Sequence, residues 1–178
     1  MNAKKTVSSF ISPNWIPVVV CLLIPGINIF ALLIFLCGTL PTLLRANKTI
    51  KKLEANGQLE TAAAEIFSAD SKRYMKGKVI LSSNFVFCKS TGYAFTYDEI
   101  VWAYKHRLTN TFLFIPIKVT DSLYIATKTM SPRQVVAMGK DKTDEIKNSI
   151  VEIHNHNNNC LIGYSNEIYA QYKALKKG

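Results

Sequence analysis

Few residues of this chain have the type and spacing that chemistry requires. Its one cluster of histidine and cysteine is His154-Asn155-His156 followed by Cys160. Histidines two positions apart at a helix end point away from each other, unlike the four-residue spacing of helical zinc sites. A cysteine nucleophile needs a base held beside it in space, and nearness in sequence does not supply one. We therefore expect polar loop residues here, with no metal ligand and no nucleophile.

The remaining motifs also fail to predict catalysis. The stretch Gly163-Tyr164-Ser165-Asn166-Glu167 lacks the second glycine of a serine nucleophile elbow, so Ser165 is predicted to cap a helix. Lys76-Gly77-Lys78 is not part of a phosphate-binding loop, and no dinucleotide fingerprint occurs. Asp98-Glu99 at a strand start is more typical of a turn than of an acid/base pair. We expect no enzyme activity, no catalytic residue and no cofactor.

Basic residues are the strongest chemical signal, because 22 Lys+Arg against 12 Asp+Glu give a net charge of +10. Residues 72–89 contain five cations and no acid. One hypothesis is an anionic-lipid or phosphoinositide-like site at Lys76, Lys78, Lys89 and Arg107. The alternative, which we favour, is a solvated cationic surface that faces an anionic membrane without a pocket. Nucleic acid is not expected as a partner, because no RNA-binding motif occurs and the aromatic residues alternate like core positions.

The N-terminal segment is predicted to position the rest of the chain at a membrane. No charged residue lies between Lys5 and Arg45, and the most apolar part is Trp15–Leu44. About 20 apolar residues span a bilayer as a helix, so this segment is long enough for one crossing. It exceeds the apolar region of a signal peptide, about 7–15 residues, and no cleavage site follows. The segment therefore predicts a retained membrane anchor.

Two topologies of this anchor remain open. Pro25-Gly26 is a turn signal in mid-segment, which permits either one kinked helix from about Trp15 to Leu40 or a helical hairpin. A basic cluster follows the segment: Arg45, Lys48, Lys51 and Lys52. Cations are enriched on the cytoplasmic side of membrane segments. Both topologies therefore predict localisation at the cell membrane with the C-terminal domain in the cytoplasm.

The neck after the anchor is predicted to be helical. Residues 43–56 and about 58–69 have apolar residues at helical spacing, with Gly57 between them as a stop. The four cations of the first helix are membrane-proximal in this interpretation, and each contributes on the order of 1 kcal/mol of attraction to an anionic leaflet. The alternative is that they serve only as the topology signal.

From Lys72 the hydrophobic period changes to that of antiparallel strands. Seven short strands are predicted, with a loop at Leu108–Thr111 and a turn at Asp121-Ser122: Lys78–Leu81, Phe85–Lys89, Tyr93–Tyr97, Ile100–His106, Phe112–Thr120, Leu123–Lys128 and Gln134–Met138. A helix starting near Asp141 or Thr143 follows, and a second helix starts after Ser165. The order predicts an α+β chain whose sheet is closed as a pleckstrin-homology-like (PH-like) or GRAM-like barrel or sandwich. The predicted domains are 1–44, the anchor; 45–71, the neck; and 72–178, the PH-like domain.

Two motifs carry a family resemblance. They are the strand Asp98-Glu99-Ile100-Val101-Trp102-Ala103-Tyr104 and the helix entry Gly163-Tyr164-Ser165-Asn166-Glu167-Ile168. Over roughly residues 78–175 the chain resembles an uncharacterised bacterial family of small membrane-tethered PH-like proteins. The resemblance implies the fold and the tether, and it transfers no site because the family has no assigned activity. The asparagine-rich stretch 155–159 departs from the family pattern.

These observations predict a non-enzymatic, membrane-anchored PH-like binding or scaffolding module on the cytoplasmic face. Its partners would be the lipid membrane, and anionic lipid headgroups or a partner protein. An accessory subunit of a larger integral membrane complex is the alternative, and an enzyme is less favoured than either.

Overall fold

The structure is a computed structural model, and it describes residues 2–14, 16, 19–20, 32–33, 35–112, 115–139 and 143–177. The chain divides into two compact units. The first unit comprises Met1–Ala69 and Phe87–Ala94, and the second comprises Asp70–Val86 and Phe95–Gly178. A short piece of the strand-rich half, Phe87–Ala94, therefore belongs to the first unit.

No helix among the described residues is both long enough and apolar enough to cross a bilayer. This finding corrects the predicted transmembrane anchor in residues 1–44, and with it the predicted cell-membrane localisation and cytoplasmic placement. The longest described helix of this region, α2 (Leu40–Ala55), carries four lysine and arginine side chains and so is not apolar. The predicted turn at Pro25-Gly26, on which the two topologies depended, lies outside the described residues.

The first unit contains three described α-helices: α1 (Ala3–Ile11), α2 (Leu40–Ala55) and α3 (Leu59–Glu65). Val7 and Ile11 of α1 are fully buried, because a four-residue spacing places both on one helix face. Helix α1 packs against α3 and α2. The apolar faces of these helices thus form a core within this unit.

Gly92 joins the strand-derived segment of the first unit to its helices. Its φ of +80° lies in the left-handed region, and a Cβ there would stand 2.6 Å from the carbonyl oxygen of Thr42. The Gly92 N–H donates to the Ile11 carbonyl at 2.8 Å, and the Thr49 hydroxyl donates to the Gly92 carbonyl at 2.8 Å. Only glycine combines this backbone conformation with so close an approach.

Two four-stranded sheets replace the predicted closed barrel. One has the order β1 (Lys72–Tyr74), β2 (Val79–Leu81), β3 (Phe85–Cys88), β4 (Tyr93–Thr96); the other has the order β7 (Arg133–Gly139), β6 (Ile115–Thr127), β5 (Ile100–Phe112), β8 (Leu161–Ile162). Strand β5 is bonded to β6 on one side and to β8 on the other, so the second sheet ends at β7 and β8 and does not close. The α+β class is confirmed, and the seven-strand PH-like barrel is wrong.

Strands β5 and β6 form a long antiparallel hairpin where shorter strands were predicted. The predicted loop Leu108–Thr111 is part of β5, and the predicted turn Asp121-Ser122 lies inside β6. Asp121 stands opposite Arg107 in the register, and its side chain is fully buried. Asp121, a residue type common in turns, is thus one partner of a cross-strand ion pair with Arg107 inside a continuous strand.

Two helices complete the second unit. Helix α4 (Thr143–His156) buries Ile146, Ile150 and Ile153, and it packs against β1, β2, β5, β6 and β8. Helix α5 (Asn166–Lys177) contacts β8. The predicted cap of α5 is confirmed, because the Ile168 N–H donates to Ser165 Oγ at 3.2 Å.

Candidate functional site

Strand β5 supplies the centre of an aromatic cluster in the second unit. Trp102 and Tyr104 lie two positions apart, and alternate side chains of a strand point to the same face. Tyr124 of β6 stands directly opposite Tyr104 in the register, and the two rings stack with centroids 5.2 Å apart. The hairpin register therefore brings three aromatic rings together on one side of the sheet.

Helix α5 adds two rings and two cations to this cluster. Tyr169, Tyr172, Lys173 and Lys176 are spaced three, four and seven positions along the helix, so they share one face. The Tyr172 ring lies 5.0 Å from the Trp102 ring, and the Tyr169 ring lies 6.0 Å from it. The helix face thus closes over the aromatic face of β5.

The turn after β8 places a further tyrosine. Gly163 has φ +80°, its N–H donates to the Ala103 carbonyl at 3.1 Å, and its carbonyl accepts from Trp102 Nε1 at 2.7 Å. These bonds fix the turn against β5 and satisfy the indole N–H. Tyr164 follows directly, 60% exposed, with its ring centroid 5.7 Å from that of Trp102. The turn therefore presents an aromatic side chain to solvent.

Together these side chains line a cleft, which we call the aromatic cleft, of about 410 Å³. Its lining residues are Trp102, Tyr104, Ser131, Pro132, Tyr164, Tyr169, Tyr172, Lys173 and Lys176. Binding clefts are typically apolar and aromatic with a small number of polar groups. The cleft has this composition.

The charge of the aromatic cleft is one-sided. Its lining includes two lysines and no carboxylate. The Lys173 Nζ lies 4.4 Å from the centroid of the Tyr169 ring, and the Lys176 Nζ donates to Ser131 Oγ at 2.8 Å. The lysines are thus held at the cleft by an aromatic face and by a hydroxyl. The positive charge of the two lysines attracts anionic groups.

Hydroxyl groups give the cleft hydrogen-bond donors. Burial raises the pKa of Tyr104 to about 12, so its hydroxyl stays protonated at neutral pH. Tyr172 is 4% exposed, and its buried hydroxyl has no hydrogen-bond partner within the described part of the chain. A buried hydroxyl without a partner costs about 1–3 kcal/mol. The unpartnered hydroxyl thus belongs to a residue that lines the cleft.

A second polar cluster, which we call the Asp121 cluster, lies on the same hairpin. Arg107 donates from Nε to Asp121 Oδ1 at 2.7 Å and from Nη2 to Oδ2 at 2.8 Å. The Thr143 hydroxyl donates to Oδ2, and the Lys105 Nζ lies 3.9 Å from it. Hydrogen bonding from Arg107 holds the pKa of Asp121 well below its usual range. This cluster joins the hairpin to the start of α4 with its carboxylate fully bonded.

The four predicted lipid-binding cations have different surroundings within their own units. Arg107 pairs with Asp121, as described above. Lys76 and Lys78 are exposed on either side of Gly77 in the turn before β2. Lys89 belongs to the first unit, where its Nζ lies 6.0 Å from the centroid of the Phe10 ring.

The predicted membrane-proximal cations lie on α2. Arg45 donates from Nη1 to the Tyr93 hydroxyl at 3.1 Å, and its guanidinium lies 5.1 Å from the centroid of that ring. Lys48, Lys51 and Lys52 are exposed. The buried stripe of α2 comprises Thr42, Ala46, Ile50 and Leu53. This stripe faces the core of the first unit.

The histidine–cysteine cluster has structural roles. His154 Nδ1 lies 3.0 Å from the Cys160 carbonyl oxygen, and His156 stacks on Tyr97 with ring centroids 4.2 Å apart. Burial raises the pKa of the Cys160 thiol to about 12, which disfavours a nucleophilic thiolate. Within the residues described, no group of histidine, cysteine and acidic side chains is arranged to hold a metal ion.

The asparagine-rich stretch 155–159 also has a place in the fold. The Asn157 amide donates to the carbonyls of Tyr97 at 2.8 Å and Ile100 at 3.0 Å. These two hydrogen bonds hold the residue that follows α4 against the backbone where β5 begins.

Sequence reasoning missed the aromatic cleft because its residues were assigned other roles. The alternation of aromatic residues predicts core positions for Trp102 and Tyr104, and a local pattern gives the residues of the last helix no partner. The signal was present as tyrosines at positions 169 and 172, on the same helix face as lysines 173 and 176. Pairing that face with the aromatic face of β5 requires the tertiary structure.

No family model, no curated protein and no solved structure shows significant similarity to the chain. The resemblance to membrane-tethered PH-like proteins stays an expectation from sequence. The function is therefore inferred from the aromatic cleft of the second unit.

Proposed function

We propose that this protein is a non-enzymatic binding module whose aromatic cleft takes a segment of an acidic partner protein. The observation that carries the proposal is the composition of the cleft: five aromatic rings, two lysines and no carboxylate. Aromatic side chains dominate the energetics of protein interfaces because they bury large areas at a small cost in conformational entropy.

Exposure of the rings supports a contact surface. Tyr164 is 60% exposed and Tyr169 is 38% exposed, although the first ring stacks on the buried Trp102 and the second lies tilted against it. Trp102, by contrast, is 1% exposed. The cleft thus combines a fixed buried base with accessible rings, which is the arrangement of an interface centre.

Charge supports an acidic partner. The chain carries a net charge of +10, and two of its lysines line the cleft. Complementary charge accelerates association and excludes partners of like charge. The net positive charge of the chain attracts an acidic segment, whose carboxylates then form ion pairs with Lys173 and Lys176.

Peptide selection against the full chain tests this proposal. A display library of random peptides is selected on the chain, and the enriched peptides are titrated against two variants. We expect Tyr164→Ala/Tyr169→Ala to weaken binding by about tenfold or more, because it removes the exposed rings. Phe67→Ala is the matched control, since Phe67 is 62% exposed in the first unit and is not part of the cleft.

Equal binding by the double variant would refute the proposal. So would a chain that binds none of the peptides and instead floats with vesicles containing phosphatidylglycerol. The second result would favour the anionic-lipid hypothesis of Lys76, Lys78, Lys89 and Arg107.

A further inference from the structure

The donors and rings of the aromatic cleft select a narrower class of ligand. We propose that the cleft takes a proline-rich segment in the polyproline II conformation, flanked by acidic residues. This inference rests on the proposed function and specifies the conformation and composition of the partner segment.

The first argument is the balance of donors and acceptors. The polar side chains of the cleft are four tyrosine hydroxyls, two lysine ammonium groups and one serine hydroxyl, and the tryptophan N–H is already bonded to Gly163. Ammonium groups only donate, and hydroxyl groups can donate as well as accept, so donors are in excess in the cleft. A proline-rich segment suits such a site, because its residues lack N–H groups and present free carbonyl acceptors.

The second argument is the buried hydroxyl of Tyr172. The residue Tyr172 lines the cleft, and its hydroxyl oxygen is buried and has no partner within the described part of the chain. Because the hydroxyl is buried, a ligand carbonyl bonds to it only when the neighbouring side chains move apart, and that bond removes a desolvation cost that the free protein carries. A ligand carbonyl would thus give the buried Tyr172 hydroxyl the hydrogen-bond acceptor that it lacks in the free protein.

The third argument excludes the addition of a ligand strand to β5. Strand β8 already pairs with β5 at Trp102 and Ala103, and the Gly163 N–H takes the Ala103 carbonyl. The edge of β5 beside the cleft is therefore occupied by the chain itself. An extended ligand there must bind through side-chain donors and ring contacts, as polyproline II segments do in aromatic-lined grooves.

The fourth argument excludes a cationic ligand. Clusters of aromatic rings also bind quaternary ammonium groups. Here the Lys173 ammonium already lies over the Tyr169 ring, and Lys176 adds a second positive charge to the lining. A cation would meet like charge, whereas glutamate or aspartate residues flanking a proline core meet two lysines.

Titrations that use Trp102 fluorescence test the inference. The chain has two tryptophans, so a Trp15→Phe background leaves Trp102 as the single reporter. The probe is a peptide with a hexaproline core and two glutamates at each end. One control has lysines in place of the glutamates, and another keeps the glutamates and replaces the prolines with alternating glycine and serine. We expect saturable binding of the first peptide and at least about tenfold weaker binding of both controls.

A single-atom variant tests the role of the buried hydroxyl. Tyr172→Phe keeps the ring and removes the unpartnered oxygen. We expect binding of the glutamate-flanked proline peptide to weaken about fivefold, the value of one hydrogen bond, with no loss of stability. Tyr97→Phe is the control, because the Tyr97 hydroxyl donates to the Ser82 carbonyl at 2.8 Å and its loss is expected to lower stability.

The outcomes separate the inference from the proposed function. Equal binding of the glycine–serine peptide would overturn the proline requirement, and equal binding of the lysine-flanked peptide would overturn the acidic one. In either case, selected peptides that still depend on Tyr164 and Tyr169 would leave the proposed function standing. Unchanged affinity in Tyr172→Phe would overturn the assignment of that hydroxyl to the ligand.

Discussion

The β5–β6 hairpin carries two polar clusters that differ in how completely their groups are bonded. In the Asp121 cluster, both carboxylate oxygens accept hydrogen bonds from Arg107 and a third bond comes from Thr143. The aromatic cleft begins at Tyr104, three positions before Arg107 on β5. There the Tyr172 hydroxyl is buried without a partner among the described residues, and two lysines line an open surface. The carboxylate of the Asp121 cluster has all its hydrogen bonds within the protein. The aromatic cleft, by contrast, has rings and lysines that remain available to a ligand.

This difference separates stability from binding on one strand pair. A buried carboxylate must be paired, because an unpaired charge in the interior is costly. A site for a ligand instead keeps donors and rings available, at a cost to the free protein. We therefore expect substitutions in the Asp121 cluster to change stability, and substitutions in the aromatic cleft to change binding.

Asp121→Ala is expected to have the largest effect on stability. The substitution leaves Arg107 and Lys105 facing each other without their common anion, and it opens space in the hairpin. Because Arg107 is 43% exposed and stays partly hydrated, we expect the loss of its hydrogen bonds to Asp121 to cost about 2 kcal/mol. Chemical denaturation followed by Trp102 fluorescence in the Trp15→Phe background measures the free energy of unfolding of the second unit.

The exposed Asp98 provides the control for this measurement. Asp98→Ala removes the same charge from the surface and is expected to change the free energy of unfolding by less than about 0.5 kcal/mol. Similar losses in the two variants would mean that the Asp121 cluster does not hold the hairpin.

Acid is expected to weaken the second unit through the same carboxylate. The pKa of Asp121 is lowered in the folded state, chiefly by hydrogen bonding from Arg107. A lowered pKa gives stability that is present above the unfolded value, about 3.9, and is lost as the pH falls below it. The free energy of unfolding should therefore decrease from about pH 5 to pH 2, and this decrease should be smaller in Asp121→Asn. An equal acid dependence in both proteins would assign the effect to other carboxylates.

Arg107→Met should move the acid transition. Without the guanidinium, Asp121 keeps its burial but loses the main interaction that lowers its pKa. The midpoint of acid unfolding is expected to rise by about one pH unit. Lys78→Met removes an exposed cation of the same unit and should leave the midpoint unchanged.

The sequence predicted the elements of this chain better than their arrangement. Helix α2, helix α4 and the cap at Ser165 follow from local spacing and capping chemistry, which a linear pattern contains. The turn predicted at Asp121-Ser122 was wrong because its evidence was residue type alone. The ion pair with Arg107, fourteen positions away, overrides the turn preference of aspartate.

The sequence showed which aromatic residues share a face of each element. It did not show that the strand face and the helix face pack together as a cleft. Trp102 and Tyr104 alternate along a strand, and Tyr169 and Tyr172 recur along a helix, so each face was visible separately. The contact between the aromatic face of β5 and that of α5 depends on the segment that connects to α5. In that segment β8 pairs with β5, and Gly163 adopts a positive φ. Contacts between elements distant in sequence are not encoded in any local period.

Tyr164→Ala is expected to have the smallest effect on stability and a large effect on binding. The ring is 60% exposed and contacts Trp102 at a centroid distance of 5.7 Å, so its removal should cost less than about 1 kcal/mol. The same removal takes away the most exposed ring of the cleft and should weaken binding of selected peptides by about tenfold. Denaturation and peptide titration on one preparation measure both values. A stability loss as large as that of Asp121→Ala would show that Tyr164 belongs to the core, and the contrast between the two clusters would then fail.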